Sequence, residues 1–270
     1  MNDISVIITC HNDIPLYWDK IKQNFKPLAE SKSLNFEVII ATNNKDGFFE
    51  SIIQSKDPHY KVVYVPENKN EFLELEYGIK ESNGKYICFM DSDDYFYEGK
   101  LEKIFSLFES DENLVYICNS VSGIKNKFLT MDFNMSSISV RRSILIPEYF
   151  GKITMMPDTL AYYMAKNTNG KMIILKEFLN FYNISQTSAS RRNRNEFLDK
   201  SEYSLNLMAD WFPKLKNEIN GRIFVVNIWK NEKMKLSRKF LNLWRGDYFS
   251  FKKKLEYSLA FIKRLLGNTK

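Results

Sequence analysis

The sequence predicts an α/β protein with a parallel sheet, functional residues along the carboxyl ends of its strands, and a helical C-terminal extension. Three observations carry this. Strand-like apolar runs alternate four times with helical segments in the first part of the chain. Polar residues cluster directly after each run. The fourth run, residues 86–90, ends abruptly in Asp91, Asp93 and Asp94. Alternation of this kind argues a parallel sheet with its site at the strand ends.

Each element follows from local pattern. Residues 4–10, Ile-Ser-Val-Ile-Ile-Thr-Cys, are β-branched and read as a buried strand. His11, Asn12 and Asp13 stop it, Pro15 follows, and a helix extends to about Ala29. Residues 36–42 form a second strand, residues 48–54 a helix, residues 60–65 a third strand closed by Pro66, and residues 71–82 a helix. The Asn83-Gly84 turn opens the fourth strand. Its three acids repel one another at the rim of a sheet, and a hard divalent cation bound by oxygen is the natural counter-charge. A solvated acidic turn ahead of the helix at 101–108 is the plainer reading of the same residues, and Asp94 is a candidate cap for that helix.

Beyond Asp94 the pattern loosens. Strands are expected at 114–119, 136–140 and 171–175, and Arg141-Arg142 is expected to open a helix. The apolar run 153–156 ends in Pro157-Asp158, and a helix follows to about Lys166. Residues 185–195 are polar and basic without periodicity and read as a loop carrying Arg191, Arg192 and Arg194. From Glu196 the chain reads as helix, broken near Pro213, Gly221 and Gly246.

Totals exclude several classes. Cys10, Cys88 and Cys118 are far apart in apolar runs, which reads as reduced thiols in a cytoplasmic protein, not a disulfide framework. Two histidines, His11 and His59, exclude His-rich zinc sites. The chain opens directly on a strand, so no signal peptide is expected, and no run has the length of a membrane span. The 78–85 segment resembles a phosphate-binding loop, but its spacing is one residue too long and Tyr86 stands where a hydroxyl residue should follow the lysine. No G-x-G-x-x-G follows the first strand.

The net charge of +6 is uneven. Residues 214–270 hold fifteen Lys and Arg against four Asp and Glu, a balance of +11 that leaves −5 for residues 1–213. Within that basic tail, Phe251, Leu255, Leu259, Ile262 and Leu266 recur at helical intervals, and Trp229, Leu236, Phe240, Leu243 and Trp244 do so upstream. Two helices packing on the body or on a second subunit explain this, as does attachment to an anionic membrane surface. No nucleic-acid module is present, so no nucleic-acid partner is expected.

These motifs resemble the family 2 glycosyltransferases of GT-A fold. The strand-end segment Thr9-Cys10-His11-Asn12 stands in place of Pro-Thr-Tyr-Asn, and Thr42-Asn43-Asn44-Lys45-Asp46 in place of the second-strand acidic motif. Asn68-Lys69-Asn70 and Leu75-Glu76-Tyr77-Gly78-Ile79 match the next turn and helix. Gly84 through Asp94 closely match Gly-Glu-Tyr-Ile-x-Phe-Leu-Asp-x-Asp-Asp, and Pro157-Asp158 fills the place of Glu-Asp ahead of a helix. The chain departs from the family at Thr42 and Asn43, where the base-gripping acids stand, at Leu75, where the helix arginine stands, and at Tyr182-Asn183-Ile184-Ser185, which replaces Tyr-Arg-x-His.

The resemblance implies a Rossmann-like mixed sheet over residues 1–190, with residues 191–270 as the basic extension. It implies an inverting, Mn²⁺- or Mg²⁺-dependent transfer of a sugar from a nucleotide-diphosphate donor to a hydroxyl on a glycan or lipid-linked acceptor. Asp93 then binds the metal, Asp91 shares the ion or faces the ribose, and Thr9, His11, Asn12 and Asn43 line the nucleotide pocket. Asp158 becomes the general base, with a plain helix cap as its other reading. Arg141, Arg142 and the arginines of the 185–195 loop are candidates for phosphate contacts, or solvated residues. A non-catalytic nucleotide-sugar or partner-binding domain competes with the enzyme. A nucleotidyltransferase is disfavoured because no glycine-rich basic loop follows the first strand.

Overall fold

The computed structural model describes residues 2–9, 14–45, 47–66, 72–123, 134–183, 194–230 and 257–258. His11, Asn12, the loop arginines 191 and 192, and the apolar positions of the tail beyond Lys230 named above lie outside them, as do Cys10 and Asn68-Lys69-Asn70.

The chain divides into two compact units, residues 1–152 with 157–185, and residues 153–156 with 186–270. In the first, the central strands are β1 (Ile4–Thr9), β2 (Phe36–Thr42), β3 (Tyr60–Tyr64) and β4 (Tyr86–Asp91), all parallel. Every residue of β1 and β2 is buried, as their unbroken apolar runs require of strands covered on both faces. The sheet continues through β5 (Tyr95–Phe96), β6 (Leu114–Gly123), β7 (Ile138–Arg141) and β8 (Lys171–Tyr182). The order across it is β3-β2-β1-β4-β7-β6-β8-β5. The β7 strand is antiparallel to both neighbours, so the sheet is mixed, as in the GT-A architecture and unlike the all-parallel sheet that alternation alone suggests.

Helices cover both faces. On one lie α1 (Ile14–Ser31), α2 (Gly47–Ser55) and α4 (Lys100–Ser110), whose Ile21, Phe25, Ile52 and Ile104 join Val6, Val38 and Cys88 in one core. On the other lie α3 (Leu73–Glu81) and α5 (Pro147–Phe150). Phe150 meets Phe89, with ring centroids 6.2 Å apart, and a Cβ at Gly78 of α3 would come within 2.7 Å of Ile7. The helix α6 (Pro157–Asn167) packs on β6, with Tyr162 against Tyr116. Residues 171–182 form one strand with register irregularities, longer than the 171–175 expected.

The amino ends of the strands are tied by one buried carboxylate. Glu37 Oε1 accepts from the Ser5 hydroxyl and the Asn83 N–H, each at 2.6 Å, and Ser5 Oγ accepts from Gly84 N–H at 2.8 Å. Gly84 is required here, because a Cβ would lie 2.4 Å from the Ser5 nitrogen. Arg141 sits at this same end, paired in register with Tyr86. Its guanidinium donates to the Leu114, Phe108 and Asp111 carbonyls and so closes the last turn of α4. Arg142 opens only a 3-10 turn (Arg142–Ile144), and its Nε donates to Ser82 Oγ at 3.1 Å. Both arginines are structural and lie far along the strands from the acids, so neither is placed to meet phosphates there.

At the sheet edge, Asn24 of α1 pairs with both backbone groups of Phe96. Its Nδ2 donates to the carbonyl at 2.6 Å and its Oδ1 accepts the N–H at 2.8 Å.

The second unit holds α7 (Arg194–Trp211), a 3-10 turn at Pro213–Leu215 and α8 (Lys216–Trp229). Gly221 does not break α8; it is buried inside the helix, where glycine costs only about 1 kcal/mol against alanine. Lys230 bridges Asp199 and Glu202, each at 2.7 Å. Among the described residues no helix is long and apolar enough to cross a membrane.

Candidate functional site

The parallel strands deliver their last residues to one edge. Thr9 of β1 lies in register with Ala41 of β2 on one side and with Asp91 of β4 on the other. One residue further along β2, Thr42 Oγ1 accepts from Asn44 N–H at 3.0 Å, which turns the chain and leaves Asn43 exposed. Thr9, Asn43 and Asp91 therefore share the carboxyl edge of three adjacent strands. His11 and Asn12 follow Thr9 in sequence but are outside the described residues.

After Asp91 the chain makes a tight turn in which Asp94 N–H donates to the Asp91 carbonyl at 3.0 Å. Ser92 and Asp94 are buried, while Asp91 and Asp93 keep partial access to solvent. Burial pushes the Asp91 carboxyl well above the usual carboxylate range, and the charges of Asp94, Asp93 and Asp158 push it further the same way. Asp94 is pushed up to about 7, mainly by burial and also by Asp93, against the pull of hydrogen bonds from Ser136, Asn183 and Asn134. Asp94 does not cap α4: that helix starts after Gly99, whose φ of 78° suits glycine, and it has no side-chain cap.

Asp158 is the second residue of α6, half-buried, and its Oδ1 accepts from Thr159 N–H at 2.7 Å. The first turn of a helix is a favourable place for an acidic side chain. Asp158 and Asp91, about seventy apart in sequence, are brought into electrostatic contact.

Beneath the turn lies Lys100, 1% exposed. Its ammonium donates to the Ser136 carbonyl at 2.5 Å and sits 3.8 Å from the centre of the Phe96 ring. Burial lowers its pKa to about 8, partly offset by Cys88, Asp94 and Cys118. Asn134, Ser136 and Lys100 are neighbours of the acid turn that the sequence did not reveal, and Asn183, in the segment that replaces Tyr-Arg-x-His, meets the turn through its backbone N–H. The faint signal for them is the Asn-x-Ser-Ser segment from 134 to 137, where Asn134 and Ser137 form a capping box on the 3-10 turn Met135–Ser137.

The donor set is hard oxygen. Among the described residues, no three His, Cys, Asp or Glu side chains converge as a metal cage. One or two carboxylates at a strand end instead fit the way Mg²⁺ or Mn²⁺ is held when substrate phosphates complete the shell.

The mixed sheet flanked by helices is of the GT-A type, the fold shared with the solved structures given below. A sequence model of glycosyl transferase family 2 matches residues 5–169, more than half of the chain. The chain belongs to that family. A search of curated proteins gives no significant match. Among solved structures it is similar to S. aureus TarS 1-349 in complex with UDP-GlcNAc, at 14% identity and TM-score 0.61, covering 89% of this chain and 79% of that one. It is also similar to the mannosyltransferase PcManGT from Pyrobaculum calidifontis in complex with GDP-Man and Mn²⁺, at 12% identity and TM-score 0.60, covering 100% and 90%.

Proposed function

We propose that the chain is an inverting glycosyltransferase that moves a sugar, as a hexosyltransferase does, from a nucleotide-diphosphate donor to a hydroxyl acceptor. The observation that carries this is the placement of Asp91 and Asp93 at the end of β4, with a separate carboxylate, Asp158, near enough to help raise the Asp91 pKa. In this reading Asp93 ligates Mn²⁺ or Mg²⁺, and Asp91 shares the ion or holds the ribose. Thr9, His11, Asn12 and Asn43 line the nucleotide. An ion held there would supply positive charge against the departing diphosphate. Asp158 takes the proton from the acceptor hydroxyl, and its Oδ1 accepts a hydrogen bond from Thr159 N–H that orients the carboxylate. Attack on the anomeric carbon from the face opposite the diphosphate inverts that centre.

The structures of TarS with UDP-GlcNAc and of PcManGT with GDP-Man and Mn²⁺ support a nucleotide-sugar donor and a divalent ion. The acceptor we propose is a glycan or a lipid-linked saccharide, with the protein in the cytoplasm and the basic extension from residue 191 meeting the inner membrane face or a second subunit. Its +11 balance over residues 214–270 supports an anionic surface. One observation favours the non-catalytic alternative: Leu75, where family members carry arginine, is 2% exposed and belongs to the core.

The test is turnover of a panel of nucleotide sugars with Mn²⁺, with the anomeric configuration of the product read by NMR, in wild type and Asp158→Asn. The substitution keeps an oxygen to accept from Thr159 and removes the proton acceptor. Turnover should fall by roughly two to four orders of magnitude with donor binding little changed. A variant within a few-fold of wild type returns Asp158 to a structural role, and donor binding without turnover in wild type favours the non-catalytic reading.

A further inference from the structure

The turn that presents Asp91 and Asp93 contains a third acid whose position differs from theirs. Asp94 is 1% exposed, and both its oxygens are occupied by protein. Oδ1 accepts from Asn183 N–H at 2.8 Å, and Oδ2 accepts from Asn134 Nδ2 at 3.2 Å. The Ser136 hydroxyl is a further partner of this carboxylate, and Ser136 Oγ also accepts from the Asp91 N–H at 2.9 Å. Asp94 is therefore tied to three stretches of the chain: its own turn, the 3-10 turn before β7, and the residue after β8.

The amide of Asn134 has a fixed orientation. Its Oδ1 accepts from Ser137 N–H at 2.9 Å, so its nitrogen faces Asp94. The capping box thus sets Ser136, and Ser136 in turn holds the Asp91 backbone. From below, the Lys100 ammonium fixes the Ser136 carbonyl. A cation at Asp91 and Asp93 cannot draw on a carboxylate buried in this way, yet it depends on where that carboxylate pins the turn. Outer partners that orient metal ligands act in this manner.

We propose that Asp94 is the positioning residue of the acid turn: through Asn134, Ser136 and the Asn183 backbone it fixes Asp91 and Asp93 for a metal–nucleotide ligand without ligating the metal itself. The inference rests on the transferase reading for its ligand. Its geometry is independent of that reading.

An exchange of side chains between two positions tests it. Asp94→Asn places an amide nitrogen against the Asn134 amide nitrogen, donor against donor. Adding Asn134→Asp restores a donor–acceptor pair with the same net charge. The carboxylate at 134 still accepts from Ser137 N–H, and the amide oxygen at 94 still accepts from Asn183 N–H.

Two quantities are measured on the full chain. One is Mn²⁺ affinity by electron paramagnetic resonance in the presence of UDP and, separately, GDP. The other is hydrogen exchange at the amides of Asp91, Asp94 and Asn183. We expect the single variant to exchange faster at all three amides and to bind Mn²⁺ about ten-fold or more weakly, as for loss of an outer partner of a metal ligand. The double variant should recover both, with affinity within about three-fold of wild type. Recovery of exchange without recovery of affinity makes Asp94 a ligand and overturns the proposal. So does a single variant that binds as wild type does, or a double variant whose amides stay unprotected. A wild type that binds Mn²⁺ with neither nucleotide removes the transferase reading instead, and the exchange data alone then decide the clamp.

Discussion

Raising the pH from about 5 to about 8 should destabilise the metal-free protein, opposite to the usual behaviour of a salt-bridged carboxylate. The sign follows from Asp94. Its folded-state pKa, about 7, lies above the value of 3.8 it has when unfolded. Between those values the folded chain holds a proton that the unfolded chain has lost. Stability is therefore greatest on the acid side of the window and falls as pH rises through 7. For these two pKa values the loss over the interval is about 2–3 kcal/mol. For a unit of this size that corresponds to roughly 5–10 °C in Tm. Asp91, also raised, adds to the fall. The carboxylates held low by exposed partners, Glu109, Asp111 and Glu148, titrate below this window and leave it undisturbed. The assay is thermal unfolding in a chelator at closely spaced pH values, for wild type and Asp94→Asn. The variant should lose Asp94's share of the slope. A flat wild-type profile, or an equal slope in the variant, would refute the argument that burial without full compensation sets this carboxyl.

Further outcomes can be checked separately. Asp93→Ala should remove the stabilisation that Mn²⁺ with a nucleoside diphosphate gives wild type while leaving the metal-free Tm nearly unchanged; equal stabilisation in both proteins would exclude Asp93 as the ligand. Arg141→Met leaves the Leu114, Phe108 and Asp111 carbonyls without their guanidinium and should cost about 2–4 kcal/mol in denaturant unfolding. The response to Mn²⁺ should survive, because Arg141 lies at the other end of β4 from Asp91. The full chain should co-sediment with anionic vesicles at low salt, and a chain ending after Lys230 should not; absence of binding by both assigns the extension to packing or to a second subunit.

The central strands were legible because each is an apolar run long enough to fill a buried layer, and the polar residue after each run marks its carboxyl end. The acid turn was legible for the same reason. What escaped was set by partners distant in sequence. Two residues, Tyr95 and Phe96, are too short a run to announce a strand, and they become one by pairing with β8. Lys100 carries no local signal of burial, yet the fold buries it because the Ser136 carbonyl and the Phe96 ring receive its ammonium. Arg141 reads as half of a solvated pair and instead caps a helix that ends thirty residues earlier. Asp94 reads as a helix cap or a third acid at the metal, because no local pattern reports Asn134 or Asn183. Gly221 reads as a break, whereas burial of its helix outweighs a small intrinsic penalty.

The side chain of Asn24 has a consequence for how this molecule behaves among copies of itself. The β5 strand closes the sheet order, so Phe96 offers a backbone donor and acceptor at an open border where another chain could add a strand. Asn24 reproduces the two hydrogen bonds that such an intruder would make, using one amide in place of a strand. The helix thereby acts as a plug against edge-to-edge association. At the opposite border, β3 carries Lys61, engaged with Glu81, a charge that an incoming strand would have to strip of its partner.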